Sequence, residues 1–433
     1  MGKSKAIRKT EYLIIGNSAG GIGAAEAIRE VDKTGSIVIV SEEPYPAYSR
    51  PLISKYLARE RNLDEILFRP ADFYNRNSIE LVVGKKVERL DLNDQTAQLE
   101  NGEQITWKKL LLATGGIPIV PKIKGGNKDG TFAFMTINDA IEIDKFIENG
   151  FHAIVIGGGL IGVSAAEALV KRGISVTIVE MKDRILNTIL DETASSIAEE
   201  TLRKAGVRVV TNQTVAEVIG EKQTEGVILD SGEEIPCNLV IVAIGVLPRV
   251  ELAIGTGVKV NRGIIVDRFM STSCLNVYAC GDVAEAYDFV YSTNRVTPIW
   301  PNAYIGGRVA GYNMAGVRTE YSGGTAMNSL NYFGLDIATA GVLTPPPDNG
   351  WEVISQRNDG VYKKMILSGD IVRGMVFVGD IEKSGIVFSM MKEKVNVANF
   401  KQSLLADNFG LAYLPRATWQ ERLGNAPMPV NSQ

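Results

Sequence analysis

The stretch from Tyr12 to Glu42 leaves few ways to fold. An apolar run, Tyr12-Leu13-Ile14-Ile15, enters a glycine-rich turn, Gly16-Asn17-Ser18-Ala19-Gly20-Gly21. An alanine-rich helical pattern follows from Ile22 to Val31, and a second apolar run, Ile37 to Val40, ends at Ser41-Glu42. Strand, glycine turn, helix, strand and acid in this order make the fingerprint of a dinucleotide-binding unit. Glycines let the backbone approach a pyrophosphate, and the helix start offers unpaired N–H groups and a positive dipole end. Glu42 closes the second strand, the place where a carboxylate accepts a bond from an adenosine ribose. The second glycine of the usual pattern is Ser18 here, which is also small. A tight turn without a ligand has the same local signature, so this stretch alone does not decide.

The pattern then returns. Ala153-Ile154-Val155-Ile156 feeds Gly157-Gly158-Gly159-Leu160-Ile161-Gly162, a full GxGxxG. A helical pattern, Val163–Lys171, and the run Ser175 to Val179 follow, and Glu180 ends that run as Glu42 ends the first. The echo extends further. Gly102, Gly115 and Pro118 recur as Gly232, Gly245 and Pro248 at one constant offset of 130. The flanking runs, Leu111-Leu112-Ala113-Thr114 and Ile241-Val242-Ala243-Ile244, match as well. Register held across a turn, a strand and an AxGxxP end identifies two similar dinucleotide-binding units in one chain.

Between the fingerprints, residues 79–118 read as short strands: Ile79–Gly84, a turn near Asn93-Asp94, Thr96–Leu99, a hairpin turn at Asn101-Gly102, and Lys109–Ala113. The loop Pro44–Lys55 is either a rigid surface loop or a wall of the cofactor pocket bringing in Arg50 and Lys55. After Pro248, the strand-like run Asn276–Cys280 ends in Gly281-Asp282. An Asp there suits a polyol hydroxyl or a helix cap. Thr297–Ala303 opens a small-residue helix, Tyr304–Met314. From Ser322 the chain turns to short alternating segments at Ile337–Val342, Val353–Gln356, Val361–Leu367 and Ile371–Val378, with a helix near Ile386–Lys392.

Composition excludes several classes. With 433 residues, 45% hydrophobic and 22% charged, the chain is ordinary globular material of two to three domains. A net charge of −4 and no Lys/Arg-rich run argue against nucleic acid. No apolar stretch reaches membrane-span length, and no apolar signal core follows Met1–Lys5, so a cytoplasmic protein is expected. Cys237, Cys274 and Cys280 have no metal-ligand or CxxC spacing, and no metal is expected. His152, the sole histidine, is read as a surface residue, and Cys280 as a small buried residue at a strand end.

Taken together, these motifs resemble the pyridine nucleotide–disulfide oxidoreductases, flavoproteins with two dinucleotide-binding domains, over nearly the whole chain. Tyr48-Ser49-Arg50-Pro51-Leu52-Ile53-Ser54-Lys55 looks like the ferredoxin, rubredoxin and nitrite reductase branch. The resemblance implies an α/β fold with two Rossmann-like domains and a small α+β C-terminal interface domain. The expected limits are 1–118 with 246–322 for FAD, 119–245 for NAD, 323–410 for the interface domain and 411–433 for a tail. It implies FAD held by Gly16, Ser18, Ala19, Gly21, Glu42, Arg50, Pro51, Lys55, Val87, Ala113, Thr114, Gly115, Gly281, Asp282, Trp300 and Pro301. NAD(H) would lie on Gly157, Gly159, Leu160, Ile161, Gly162, Glu180, Ala243 and Gly245. Glu180 favours NAD over NADP because a carboxylate repels a 2′-phosphate, although Lys182 and Arg184 follow closely.

Two departures from the family pattern bear on chemistry. Residues 42–62 carry no cysteine, so the thiol relay beside the flavin is missing. The family also often has Glu near the nicotinamide and the flavin-side lysine, just past the last glycine of the second fingerprint. Here that residue is Ser164, and Glu167 stands one helical turn away. Lys55, the one residue given a catalytic place beside the flavin, is left without its usual partner. The expected function is FAD-dependent transfer between NADH, as hydride to flavin N5, and a one-electron protein carrier such as a ferredoxin-like iron–sulfur protein or rubredoxin. The alternatives are an NADH oxidase that reduces O₂ and an assembly flavoprotein with incidental turnover. A homodimer is one arrangement the resemblance implies, and the sequence leaves the oligomeric state open.

Overall fold

A computed structural model describes residues 7–347, 350–406 and 409–410; the expected tail, 411–433, lies outside them. Contacts divide the chain into two compact units, one of residues 1–187 and 199–326, the other of 188–198 and 327–433.

The first unit contains both fingerprints, each on its own sheet, the first mixed with a parallel core. The first sheet runs Ile79–Val82, Ile37–Val40, Ile7–Ile15, Gln104–Leu112, Thr96–Leu99, Val87–Asp91, with Val277–Ala279 also paired to Gln104–Leu112. The strand that precedes Asp282 therefore joins the first fingerprint's sheet, with the whole second fingerprint lying between them in sequence. Its central strands are apolar on both faces, as sequences such as Ile37-Val38-Ile39-Val40 dictate. Helices Ala19–Val31 and Trp300–Met314 pack together on it. Gly307 and Gly311 make that packing close: a Cβ on either would lie 2.1 and 2.4 Å from the carbonyl oxygens of Gly20 and Ala24.

The second sheet is all parallel, in the order Arg208–Thr211, Ser175–Glu180, His152–Ile156, Leu239–Val242, Thr131–Ala133. The sequence echo is a structural one. Gly102 N–H donates to Leu99 O at 2.8 Å, and Gly232 N–H to Leu229 O at 2.9 Å. Leu99 and Leu229 N–H each donate at 2.9 Å, to Glu103 and Glu233. The two AxGxxP ends then meet: Gly116–Pro118 pairs antiparallel with Val246–Pro248.

The second unit is a five-stranded antiparallel sheet in the order Met327–Tyr332, Leu335–Gly341, Ile371–Val378, Val361–Ser368, Trp351–Asn358, with helix Ser384–Glu393 on it. The edge strand Met327–Tyr332 is an addition to the sequence reading. Its residues are mostly half-exposed and polar, so it lacks an apolar stripe. Two buried lysines sit in this unit. Lys364 Nζ and Tyr362 Oη both lie 2.8 Å from Asp191, and Lys363 Nζ lies 2.6 Å from Asp380. Burial opposes the Asp191 charge, but Lys364, the Ala194 N–H and Tyr362 hold its carboxyl below the usual range.

Candidate functional site

The first turn is built so that only glycine fits its ends. Gly16 has φ +119°, and a Cβ there would lie 2.1 Å from Ala113 O. A Cβ on Gly21 would lie 2.0 Å from Gly16 O. The second turn repeats this geometry: Gly157 has φ +103° with Ala243 O at 2.5 Å, and Gly162 would meet Gly157 O at 1.9 Å. Ala113 and Ala243 are thus the backbone floors of the two turns. Ser18 and Gly159 occupy the caps of helices Ala19–Val31 and Leu160–Lys171, and neither helix start has a side-chain cap. Their first N–H groups remain for a ligand. Gly159 supplies a test of fit. Its φ is −78°, and a Cβ would meet nothing within 4 Å, so the protein itself does not require glycine there. A pyrophosphate held at this helix start would.

Around the first turn, chemistry-bearing residues converge. Glu42 pairs with Arg249 at 2.6 Å. Its neighbour Glu43 accepts from Tyr48 Oη at 2.5 Å and pairs with the Arg50 guanidinium, whose Nη1 also donates to Met135 O at 3.2 Å. The loop is tied to the turn as well: Tyr74 Oη donates to Asn17 Oδ1 at 2.8 Å and accepts from Ala47 N–H at 2.9 Å. These bonds favour the pocket-wall reading of Pro44–Lys55 over an idle surface loop. Pro51 is the second residue of the short helical turn Arg50–Leu52. Gly84 and Lys85 run beside Pro44 and Ser41, and Val87, two residues on, is buried at 5%. Thr114 Oγ1 donates to Arg249 O at 2.8 Å, and Gly115 O accepts Arg249 N–H at 2.9 Å.

Asp282 lies in the short turn Gly281–Val283, beside the start of the helix that carries Trp300 and Pro301; Gly281 abuts Ala303. Burial pushes the Asp282 carboxyl above its usual range, and Arg50 draws it partly back. Burial likewise opposes the Arg50 charge, while Tyr48, Glu43 and Asp282 hold it up. A recessed carboxylate with no hydrogen-bond donor among the described residues suits a polyol hydroxyl. Trp300 meets Phe68 edge-on, ring centres 5.0 Å apart. Of the residues expected to hold FAD, Gly16, Ser18, Gly21, Glu42, Ala113, Thr114 and Gly115 are linked around this turn through one another and Arg249, and their chemistry fits the cofactor.

At the second turn, Glu180 is buried at 8%, and its oxygens accept from Gly158 N–H at 2.7 Å and Lys182 N–H at 2.8 Å. Arg184 is paired with Asp183 at 2.7 Å, which blunts its appeal to a 2′-phosphate. Leu160 and Ile161 open the helix, and Gly245 carries φ +125° beside Ile119.

Lys55 is drawn into ion pairs. Its Nζ lies 3.1 Å from Glu60 and 4.0 Å from Glu167, while Lys171 closes the ring at 2.7 Å from Glu60 and 3.0 Å from Glu167. Ser164, where the sequence lacks the family's acid, turns its hydroxyl to Leu160 O at 2.9 Å. The cysteine beside the first turn is sealed. Cys280 is 1% exposed and wedged against Gly20, and burial pushes its thiol up to about 12, as it does that of Cys237. His152 sits at the far end of its strand from Gly157, bonded to Pro236 O at 2.8 Å and Thr177 at 2.9 Å. Arg249 and Glu43 are site-lining charges that sequence reading missed. Only Arg249 had a signal, its place directly after the second AxGxxP.

Comparison with known proteins agrees with this geometry. Residues 10–312 match the family described as pyridine nucleotide-disulphide oxidoreductase, and residues 327–395 match the rubredoxin NAD+ reductase C-terminal domain. The chain is 32% identical to the NADH-dependent phenylglyoxylate dehydrogenase subunit epsilon of Aromatoleum evansii, over 93% of this chain and 96% of that one. It is 30% identical to the nitrite reductase [NAD(P)H] of Bacillus subtilis over 90% of its own length, and spans 48% of that larger protein. The crystal structure of NADH:rubredoxin oxidoreductase from Clostridium acetobutylicum superposes with a TM-score of 0.75 at 27% identity, covering 91% of this chain and 98% of that one. The chain belongs to the pyridine nucleotide-disulphide oxidoreductase family, and is an oxidoreductase of FAD and NADH.

Proposed function

We propose that this protein passes electrons between NADH and a one-electron protein carrier, an iron–sulfur protein or rubredoxin. One observation carries the reading: two dinucleotide-binding fingerprints occur in one unit, while residues 42–62 lack cysteine and Cys280, the cysteine packed against the first turn, is sealed. The C-terminal match and the rubredoxin oxidoreductase likeness support a carrier of that class. Residues 1–118 with 246–322 would form the FAD half, 119–245 the NAD half and 323–410 the interface domain. A reducing cytoplasm suits the free cysteines, and no helix among the described residues is long and apolar enough to cross a membrane.

FAD supplies the conversion of a hydride's electron pair into single electrons. The protein's part is binding, orientation and charge. The two helix starts hold the two pyrophosphates, Asp282 takes a ribityl hydroxyl, and Arg50 offsets negative charge beside it. Gly159 leaves room for the pyridine nucleotide's backbone approach. The test is steady NADH consumption with a carrier supplied, followed by pull-down and iron analysis of whatever co-purifies. NADH consumption that requires an iron-bearing partner supports the proposal. Equal consumption with O₂ alone, unaffected by carriers, means an oxidase. Bound FAD that NADH never bleaches means an assembly role.

A further inference from the structure

Arg249 is fixed in place before any ligand arrives. Its N–H donates to Gly115 O at 2.9 Å and its carbonyl accepts from Thr114 Oγ1 at 2.8 Å, so it extends the ladder that joins the two AxGxxP ends. Its guanidinium then reaches back, past the whole second fingerprint in sequence, to Glu42 at 2.6 Å. Among the described residues the Glu42 carboxylate has no other hydrogen-bond or ion-pair partner, which leaves its second oxygen for a ligand. The charge pattern explains the need. Glu42 and Glu43 are consecutive acids at a strand end, beside a turn shaped for a dianionic pyrophosphate. Glu43 is already matched by Arg50. Without Arg249, Glu42 would repel the pyrophosphate it sits beside.

We propose that Arg249 is a positioning residue for the adenosine end of FAD, holding the Glu42 side chain in place for the ribose diol. The pair is half-exposed, with side chains 33% and 46% accessible, so it adds little to the stability of the ligand-free chain. Its effect appears when FAD covers it and water no longer screens the charges. The inference rests on FAD occupying the first fingerprint.

The test uses full-length protein stripped of FAD, titrated with FAD and followed by flavin fluorescence, with a thermal unfolding midpoint for each stripped variant. Arg249→Gln should weaken FAD binding about tenfold, with an unchanged midpoint. Arg249→Lys, which keeps the charge, should recover most of that loss. Glu42→Gln should weaken binding similarly, and the double variant should be no worse than about threefold beyond either single one, because the two act as a unit. FAD affinity unchanged in Arg249→Gln overturns the inference. So does a loss that lysine fails to rescue and that tracks a fall in the midpoint. Wild-type protein that binds no FAD overturns the assignment of the first fingerprint as well, so the two failures are distinguishable.

Discussion

The Lys55 ammonium lies 4.0 Å from the Glu167 carboxylate, one helical turn beyond Ser164, from which a partner was expected. The acid missing at that position is therefore supplied in space. Glu167 is 5% exposed and also holds Lys171 at 3.0 Å, so it works as the buried member of a four-charge ring. Glu167→Gln should destabilise the holoprotein by about 1–2 kcal/mol, less than for a fully buried pair because both lysines are partly exposed. Lys55→Met should cost under about 1 kcal/mol, and the double variant little more than Glu167→Gln alone. Urea unfolding measures all three. A loss below about 0.5 kcal/mol for Glu167→Gln would leave the ring without structural weight.

Gly159 separates ligand demands from folding demands. Gly159→Ala meets no protein atom within 4 Å, and its φ of −78° is open to any residue. Its unfolding free energy should fall by no more than about 1 kcal/mol, the usual difference between glycine and alanine at a helix cap. Its FAD content should stay intact while its affinity for NADH falls about tenfold, since the added methyl blocks the pyrophosphate's approach. By contrast, Gly162→Ala puts a Cβ 1.9 Å from Gly157 O and should unsettle the fold itself. Equal NADH affinity in Gly159→Ala and wild type would remove the pyridine nucleotide from this turn.

Asp282 sets function against stability. Burial raises its carboxyl above the ordinary value. The folded protein then binds the proton more tightly than the unfolded chain. Its ionised form is a cost that begins above the unfolded value, about 4, and grows until the pH passes the raised folded value. Stability of the FAD-free protein should therefore fall as pH rises through that window, and Asp282→Asn should flatten the fall. The same variant should bind FAD about 10–100-fold more weakly, the loss of one charge-assisted hydrogen bond. FAD titration and apo-protein melting from acid to neutral pH check both halves; tighter FAD binding by the Asn variant would contradict the role.

NADH should reduce the bound flavin with a second-order rate constant at least about tenfold above that of NADPH. Glu180 stands at the strand end where the ribose would lie, and Arg184 is held by Asp183 rather than left for a 2′-phosphate. Rapid mixing with each nucleotide decides it. Equal or faster reduction by NADPH sinks the assignment.

The turns were legible in sequence because the chain's own backbone enforces them. Gly16, Gly21, Gly157 and Gly162 each face a carbonyl oxygen too close to admit any side chain. The constant offset from Gly102 to Gly232 survives as matched hydrogen bonds because each glycine closes the same hairpin turn. The contacts Glu42–Arg249 and Lys55–Glu167 were not legible, since each joins elements far apart in the chain and needs the topology first. Strand Met327–Tyr332 escaped for another reason: at a sheet edge, half-exposed positions accept polar residues, and the alternation loses its contrast.

The most direct test of the account is the electron capacity of the protein. Under anaerobic conditions, holoprotein is titrated with NADH until the flavin is fully bleached. A flavin whose electrons leave without a thiol relay takes up two electrons per FAD, hence one NADH. Cys280 and Cys237, buried with thiols pushed up to about 12, add none. One NADH per FAD is the predicted result; two NADH per FAD would reveal a redox-active disulfide and contradict it.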